Sequence, residues 1–440
     1  MTFPSLALLF CAGTAPVFQA PATDTLVITH VNVVPMDRER VLRDHAVIVA
    51  DGVLRWLGPT DECRPEAGWQ VIDGAGGYLV PGLTDAHVHL QHDDELALNL
   101  ANGVTTVLNL SGNEGHLELR QRVASGELLG PTILTAGQTI DGKPPRNPSF
   151  QPLGDPALAD GIVRAQQEAG YDFLKVYDLI DLDCYFAVVE AAREYDMTIV
   201  GHIPKDFGLE PTLEGHALIA HAEEYFYTFF ENEADESRIG EAAQLTAEAG
   251  VAVCPNIGFI HAILDQAHDI EAVLARPEVR YVHPEAYRDW LPENNRYVGR
   301  EANWIKSNEE MYPLLVKLTR ALHDAGVTIL SGTDASIPGG VPGFALHAEL
   351  RELIDCGLSP FEALRTVTAN PGAWTREHLK TPAVGLVATG QRADLLLLSA
   401  NPLQDIGVLR QIRGVVLRGR WIEHAELQRE IDARAAAYSR

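Results

Sequence analysis

Val80-Pro81-Gly82-Leu83-Thr84-Asp85-Ala86-His87-Val88-His89 is an apolar run that ends on two histidines. In an extended strand, residues i and i+2 face the same way, so the His87 and His89 imidazoles point to one side and can share an ion. The spacing alone is weak. With 16 histidines in 440 residues, an H-x-H arises by chance roughly once in every two such chains. Its position at the end of a strand gives it weight, and the chain beyond it repeats that strand.

Short β-branched runs recur at residues 85–90, 104–109, 132–136, 173–177, 198–203, 218–222, 251–255 and 328–334, with helical stretches between them. Eight alternations of this kind predict an α/β fold, a (β/α)₈ barrel with buried parallel strands. A doubly wound open sheet is the alternative, but no G-x-G-x-x-G follows the first strand. Ser359-Pro360-Phe361-Glu362 reads as a helix start, with a Ser N-cap, Pro at N1 and Glu at N3.

In such a barrel the C-terminal strand ends converge on one face. The fourth run carries Lys175, a cation inside an apolar strand, where burial is costly without a partner or a modification. The fifth carries His202, the sixth His221 and the eighth Asp334. Each alone has an ordinary structural reading, as a core histidine, a solvated charge or a helix cap. Together with His87 and His89 they predict one metal site. His92, His116, His216, His261 and His347 fit that pattern less well and read mainly as surface or packing histidines.

Outside the barrel region, alternating segments at 26–28, 31–34, 45–49 and 53–57 match a second cluster at 393–398 and 412–421. Each cluster is too short to cover its own apolar face, which predicts one small β-sandwich made from both chain ends, with Trp56 and Trp421 as core candidates. The expected division is a signal peptide at 1–22, the sandwich at 23–81 and 376–425, the barrel at 82–375, and a C-terminal helix at 426–440. About 75 residues separate the seventh and eighth runs, a long excursion. It holds Tyr281, Tyr287, Trp290, Tyr297, Trp304 and Tyr312, and reads either as a lid over the barrel mouth or as a packed helical subdomain.

Bulk composition narrows the partners. A net charge of −27, from 61 acidic against 34 basic residues, repels nucleic acid and anionic membranes. No long uninterrupted apolar segment offers a membrane span. The first 22 residues carry no charge, contain Leu6-Ala7-Leu8-Leu9-Phe10 and end in Ala20-Pro21-Ala22, although their start lacks Lys or Arg. They predict an exported protein. Cys11, Cys63, Cys184, Cys254 and Cys356 form no zinc pattern and read as small buried hydrophobes.

At these residues the sequence resembles the amidohydrolase superfamily, and within it the imidazolonepropionase-like and prolidase-like group. The likeness runs from about residue 25 to 421, carried by Pro81–His89, by Lys175, His202, His221 and Asp334, by Thr368-Ala369-Asn370-Pro371 and by Gly390-Gln391-Arg392-Ala393-Asp394-Leu395. It implies two divalent ions, zinc by default, with His87, His89 and Asp334 on the first and His202 and His221 on the second. Lys175 would join them as N6-carboxylysine, its amine carrying a CO2-derived carbamate.

The implied activity is hydrolysis of amide bonds in N-acyl amino acids or short peptides by a metal-bound hydroxide, with Asp334 as ligand, base and acid. Tyr177 and Tyr225, just past ligand positions, are candidates for holding the substrate carbonyl. A cyclic-amide or lactone hydrolase and a non-catalytic metal-bound binding protein are the alternatives. The partner is a small molecule or short peptide, and assembly into a homo-oligomer is open. The chain departs from the resemblance at Ile219-Ala220-His221, where the group carries Ile-Glu-His, and in the aromatic-rich excursion.

Overall fold

In β1 (Thr25–Val33), Leu26 and Ile28 face one apolar cluster while Val27 faces another, so the strand is covered on both sides. Val31 and Val33 rejoin the first cluster despite the odd spacing from Ile28. The register breaks between Ile28 and Val31, and His30 takes a left-handed φ of 50°, so a residue bulges out and the apolar face is recovered. At the same break β1 changes neighbours. Leu26–Thr29 lies parallel to β4 (Gln70–Asp73), and Asn32–Val33 lies parallel to β5 (Tyr78–Pro81). On its other edge β1 runs antiparallel to β2 (Leu42–Ala50), which pairs with β3 (Val53–Pro59). These features belong to a computed structural model that describes residues 25–438; the expected leader lies outside the described residues.

The middle of the chain builds short strands that are buried almost throughout. β6 (Leu83–Val88), β7 (Val104–Asn109) and β8 (Thr132–Thr135) form one parallel sheet. β9 (Ile140–Asp141) and β10 (Gln151–Pro152) extend a second one, which continues through β11 (Leu174–Val176), β12 (Ile199–Gly201), β13 (Leu218–Ala220) and β14 (Ala252–Cys254). Helices fill the intervals. Asp181 caps Leu182–Glu194 by accepting from the Cys184 N–H, and Ser359 with Glu362 forms the capping box of Pro360–Thr366.

The expected eighth strand is corrected by the structure. Residues 328–334 form no regular strand but sit between isolated parallel bridges, Val253 to Ile329 and Val88 to Ala335. Gly332 lies so close to β6 that a Cβ there would come within 2.5 Å of the His87 Cβ, and Asp334 has a left-handed φ of 58°. Both interrupt a ladder. The segment is nevertheless held by the Ala86 N–H on the Ser331 carbonyl (2.8 Å) and the Leu330 N–H on the Val253 carbonyl (2.9 Å). A further bridge, Ala136 to Phe173, ties the two parallel sheets together.

β15 (Leu395–Leu398), β16 (Ile412–Leu417) and β17 (Arg420–Glu423) return to the first module, β15 pairing antiparallel with β5. The result is an eight-stranded sheet from both chain ends, in the order β17-β16-β15-β5-β1-β2-β3 with β4 beside β1. Trp421 packs at the margin of its main cluster, whereas Trp56 lies with Trp69 on the opposite face. The final helix, His424–Ala437, buries Leu427 and Ile431.

The long excursion is helical, with Ile257–Leu274 and Ala302–Asp324 as its main elements. Tyr281, Trp290 and Tyr297 are buried in the main core, and Tyr287, Trp304 and Tyr312 pack against it, so these aromatics act as packing. Among the described residues, Cys63, Cys184, Cys254 and Cys356 are free and buried, and no helix is long and apolar enough to cross a membrane.

Candidate metal centre

β6 delivers His87 and His89 to the same side. Their Nε2 atoms are 3.3 Å apart, and Asp334 Oδ1 lies 3.0 Å from the first and 2.9 Å from the second. His87 Nδ1 is 3.3 Å from the buried Asn256 Oδ1, an acceptor that fixes the proton on Nδ1 and leaves Nε2 free. Asp85, also buried, accepts from the His87 N–H and from the Thr333 N–H and hydroxyl, so it braces the Asp334 turn against β6. Burial pushes the Asp85 carboxyl up to about 7 against those bonds.

Lys175 in β11, His202 just beyond β12 and His221 just beyond β13 come in from the other sheet. The His221 ring centroid lies 4.6 Å from that of His87 and 4.9 Å from that of His202. His221, like Asp334, takes a left-handed φ (74°), a conformation costing about 1 kcal/mol or more that the surrounding packing must enforce. Lys175 is 2% exposed, and its Nζ has no hydrogen-bond partner.

Protonation states suit a cation. Burial drives His87 down to about 3, and it drives His202 and His221 well below the usual imidazole range. Burial opposes the Asp334 charge, yet positive charge shared with the His87 and His89 side holds its carboxyl well below the usual carboxylate range. Neutral imidazoles with an ionised carboxylate are what a divalent ion takes. Ligand atoms of His87, His221 and Asp334 lie within 4.8 Å of one another. The 2.9–3.3 Å separations among His87, His89 and Asp334 are those of neighbouring ligands on an ion about 2.0–2.2 Å from each. Lys175 Nζ, His202 Nδ1 and His221 Nδ1 are buried without hydrogen bonds, the expected state of a site that receives a cation. The residues therefore fit the group.

Residues 78–422 match the family model described as "Amidohydrolase family". The chain belongs to the amidohydrolase family. Among family relatives, ochratoxinase of Aspergillus niger is 23% identical over 419 residues, covering 87% of this chain and 82% of that protein. Among solved structures, a bottromycin amidohydrolase superposes with a TM-score of 0.75 at 23% identity, over 95% of this chain and 93% of its own. A Xaa-Pro dipeptidase with bound methionine gives 0.70 at 18% identity, over 91% of this chain and 100% of its own. These structural likenesses establish an α/β amidohydrolase-type fold, and the protein is a hydrolase of this superfamily.

Around this amidohydrolase site the two tyrosines part company. Tyr177 has its ring centroid 4.0 Å from that of His202 and touches Phe150. Tyr225 is fully buried, and its hydroxyl is bound to Thr246 Oγ1 at 2.9 Å, away from the centre; its expected substrate contact is corrected by this placement. The helix Glu223–Thr228 turns its ring into the core. Asn256, Asp85, Glu223 and Glu224 are close to the site but absent from the sequence-based set. For Asp85 a signal existed: an acid in an apolar strand, two residues before His87 and facing the same way. Glu223 and Glu224 read as ordinary acids in the first turn of a helix.

Proposed function

We propose that this amidohydrolase is a metal-dependent enzyme that cleaves amide bonds of N-acyl amino acids or short peptides, on a closed (β/α)₈ barrel. The cyclic succession of parallel pairings and bridges from β6 through β14 and residues 329–335 back to Val88 supports the barrel. One observation carries the function: His87, His89 and Asp334 meet at 2.9–3.3 Å beside a buried Lys175 whose amine has no partner.

His87, His89 and Asp334 would hold one divalent ion, and His202 and His221 a second, with zinc suited to imidazole and carboxylate donors. Lys175 would stand between them as a carbamate. Burial lowers its ammonium to about 8, so a neutral amine is accessible to add to CO2, forming an N–C bond and releasing one proton. When bound, such ions polarise a substrate carbonyl and acidify water to an effective pKa of about 7.

The protein's own contribution is positioning and proton movement. Asp334 takes a proton on its carboxylate from the attacking water and delivers it to the departing amine nitrogen. Tyr177 offers its phenol to the substrate carbonyl, and burial raises that phenol above its usual value, so it stays a donor. The likeness to a Xaa-Pro dipeptidase favours peptide-like substrates.

Protein purified without chelator should approach two metals per chain, with Lys175 heavier by one carboxyl group in the intact mass. One metal with an unmodified lysine overturns the bridged pair. A panel of dipeptides and N-acyl amino acids tests the substrate class, and fully loaded protein that cleaves none of them overturns it.

A further inference from the structure

Glu224 approaches His202 in a way that no protein contact explains. Its Oε1 lies 2.8 Å from His202 Nδ1, and both side chains are buried. Yet His202 Nδ1 has no hydrogen bond, so the oxygen lies off the direction in which a ring N–H would point. An imidazole lone pair and an ionised carboxylate oxygen this close repel unless a cation stands between them.

The neighbouring cations do not supply it. Lys205 and Arg146 are both bound to Asp178, at 2.7 and 2.8 Å. Lys175 Nζ makes no hydrogen bond, and Glu224 Oε2 is likewise buried without a partner. The 2.8 Å separation does match adjacent ligands on an ion about 2.0–2.2 Å from each.

We propose that Glu224 is itself a metal ligand, adding an anionic oxygen beside His202. The strand that carries His221 has no acid of its own; the carboxylate comes from the first turn of the helix Glu223–Thr228. An oxygen donor among imidazoles makes this side of the centre harder, so manganese gains relative to zinc. The inference rests on the proposed metal-dependent reading.

The test uses the full chain and its Glu224→Gln and Glu224→Ala variants, stripped with chelator and titrated with Zn(II) or Mn(II) alone. Bound ion per chain, the dissociation constant from chelator competition and the unfolding temperature with and without metal are read together. One ion should bind at least about 100-fold more weakly, the upper end of what an outer-shell residue supplies, with a larger loss for Mn(II). The metal-free unfolding temperature of the Gln variant should hold, because the amide keeps the size of the buried carboxyl, while the increment gained from metal shrinks. If the Ala variant fails to fold, the isosteric Gln variant carries the test.

Affinities within about threefold of the parent for both ions overturn the proposal. So does a lowered metal-free unfolding temperature with unchanged affinities, which marks Glu224 as a packing group. The parent separates the two readings. A parent that binds no metal overturns both, whereas a fully loading parent with an indifferent Glu224→Gln overturns only the ligand.

Discussion

Two buried carboxylates of this molecule live in opposite circumstances. Asp394, where the chain re-enters the eight-stranded sheet, is answered twice: Arg392 donates to it at 2.6 Å, and so does the Arg418 N–H at 2.6 Å. Glu224, at the strand ends of the parallel sheets, sits among histidine and lysine nitrogens that make no hydrogen bonds. The first region is complete as a polypeptide. On the proposed reading the second is complete only with a cation, so a buried carboxylate serves architecture in one place and chemistry in the other.

The largest effect follows from loss of the sheet. Deleting residues 390–440 removes β15 from β5 and uncovers Leu79 and Val80, both fully buried. Insoluble or metal-poor protein is expected, read as soluble yield and elemental analysis; a soluble, fully active truncation removes any structural role for the sheet. Next in size is Asp334→Asn, which should cost at least about 100-fold in kcat while leaving the metal-free melt near the parent's. Retention of more than about a tenth of kcat ends the proton-shuttle role.

Asp394→Asn is the mirror experiment. It leaves Arg392, with a side chain 17% exposed, short of its counter-charge, and should lower stability by about 3 kcal/mol in denaturant titration with metal content unchanged. Loss of metal instead would show that the two regions are coupled.

The smallest effect concerns His347, buried with Nε2 3.0 Å from the Asn102 carbonyl and driven by burial to about 4. The unfolded chain takes up this proton near pH 6.5 and the native one only near 4. The histidine's contribution is therefore full above 6.5 and lost as pH falls. The stability difference between the parent and His347→Gln should shrink by about 2 kcal/mol from pH 7 to 5 in urea midpoints. A pH-independent difference would contradict it.

What the sequence makes legible follows from burial. Lys175 and His87 stand out because a polar group in an apolar strand needs a reason. The runs that became β6, β7 and β11 to β14 stand out because both faces are covered and apolar residues are continuous. The segment 328–334 has the same composition but not the same ladder, since the close approach at Gly332 and the left-handed turn at Asp334 are backbone events with no periodic signature.

Direction is equally hidden. Tyr177 and Tyr225 both follow an expected ligand by a few residues, and only the helix after His221 decides that the second faces the core. Glu223 and Glu224 stay inconspicuous because acids in a first helical turn are common on dipole grounds alone.

The sheet shared by both chain ends also sets a timetable. Arg413 donates to the Gly74 carbonyl across 339 residues, and β5 waits nearly as long for its partner β15, Pro81 pairing with Leu395 and Tyr78 with Leu398. At a synthesis rate of about 5–20 residues per second, that interval is roughly 20–70 s. Throughout it the nascent chain carries an apolar strand edge with nothing to pair with, the form most open to wrong pairing with other chains. The sheet is thus unfinished from β1 onward, and it closes only once β15 to β17 have left the ribosome.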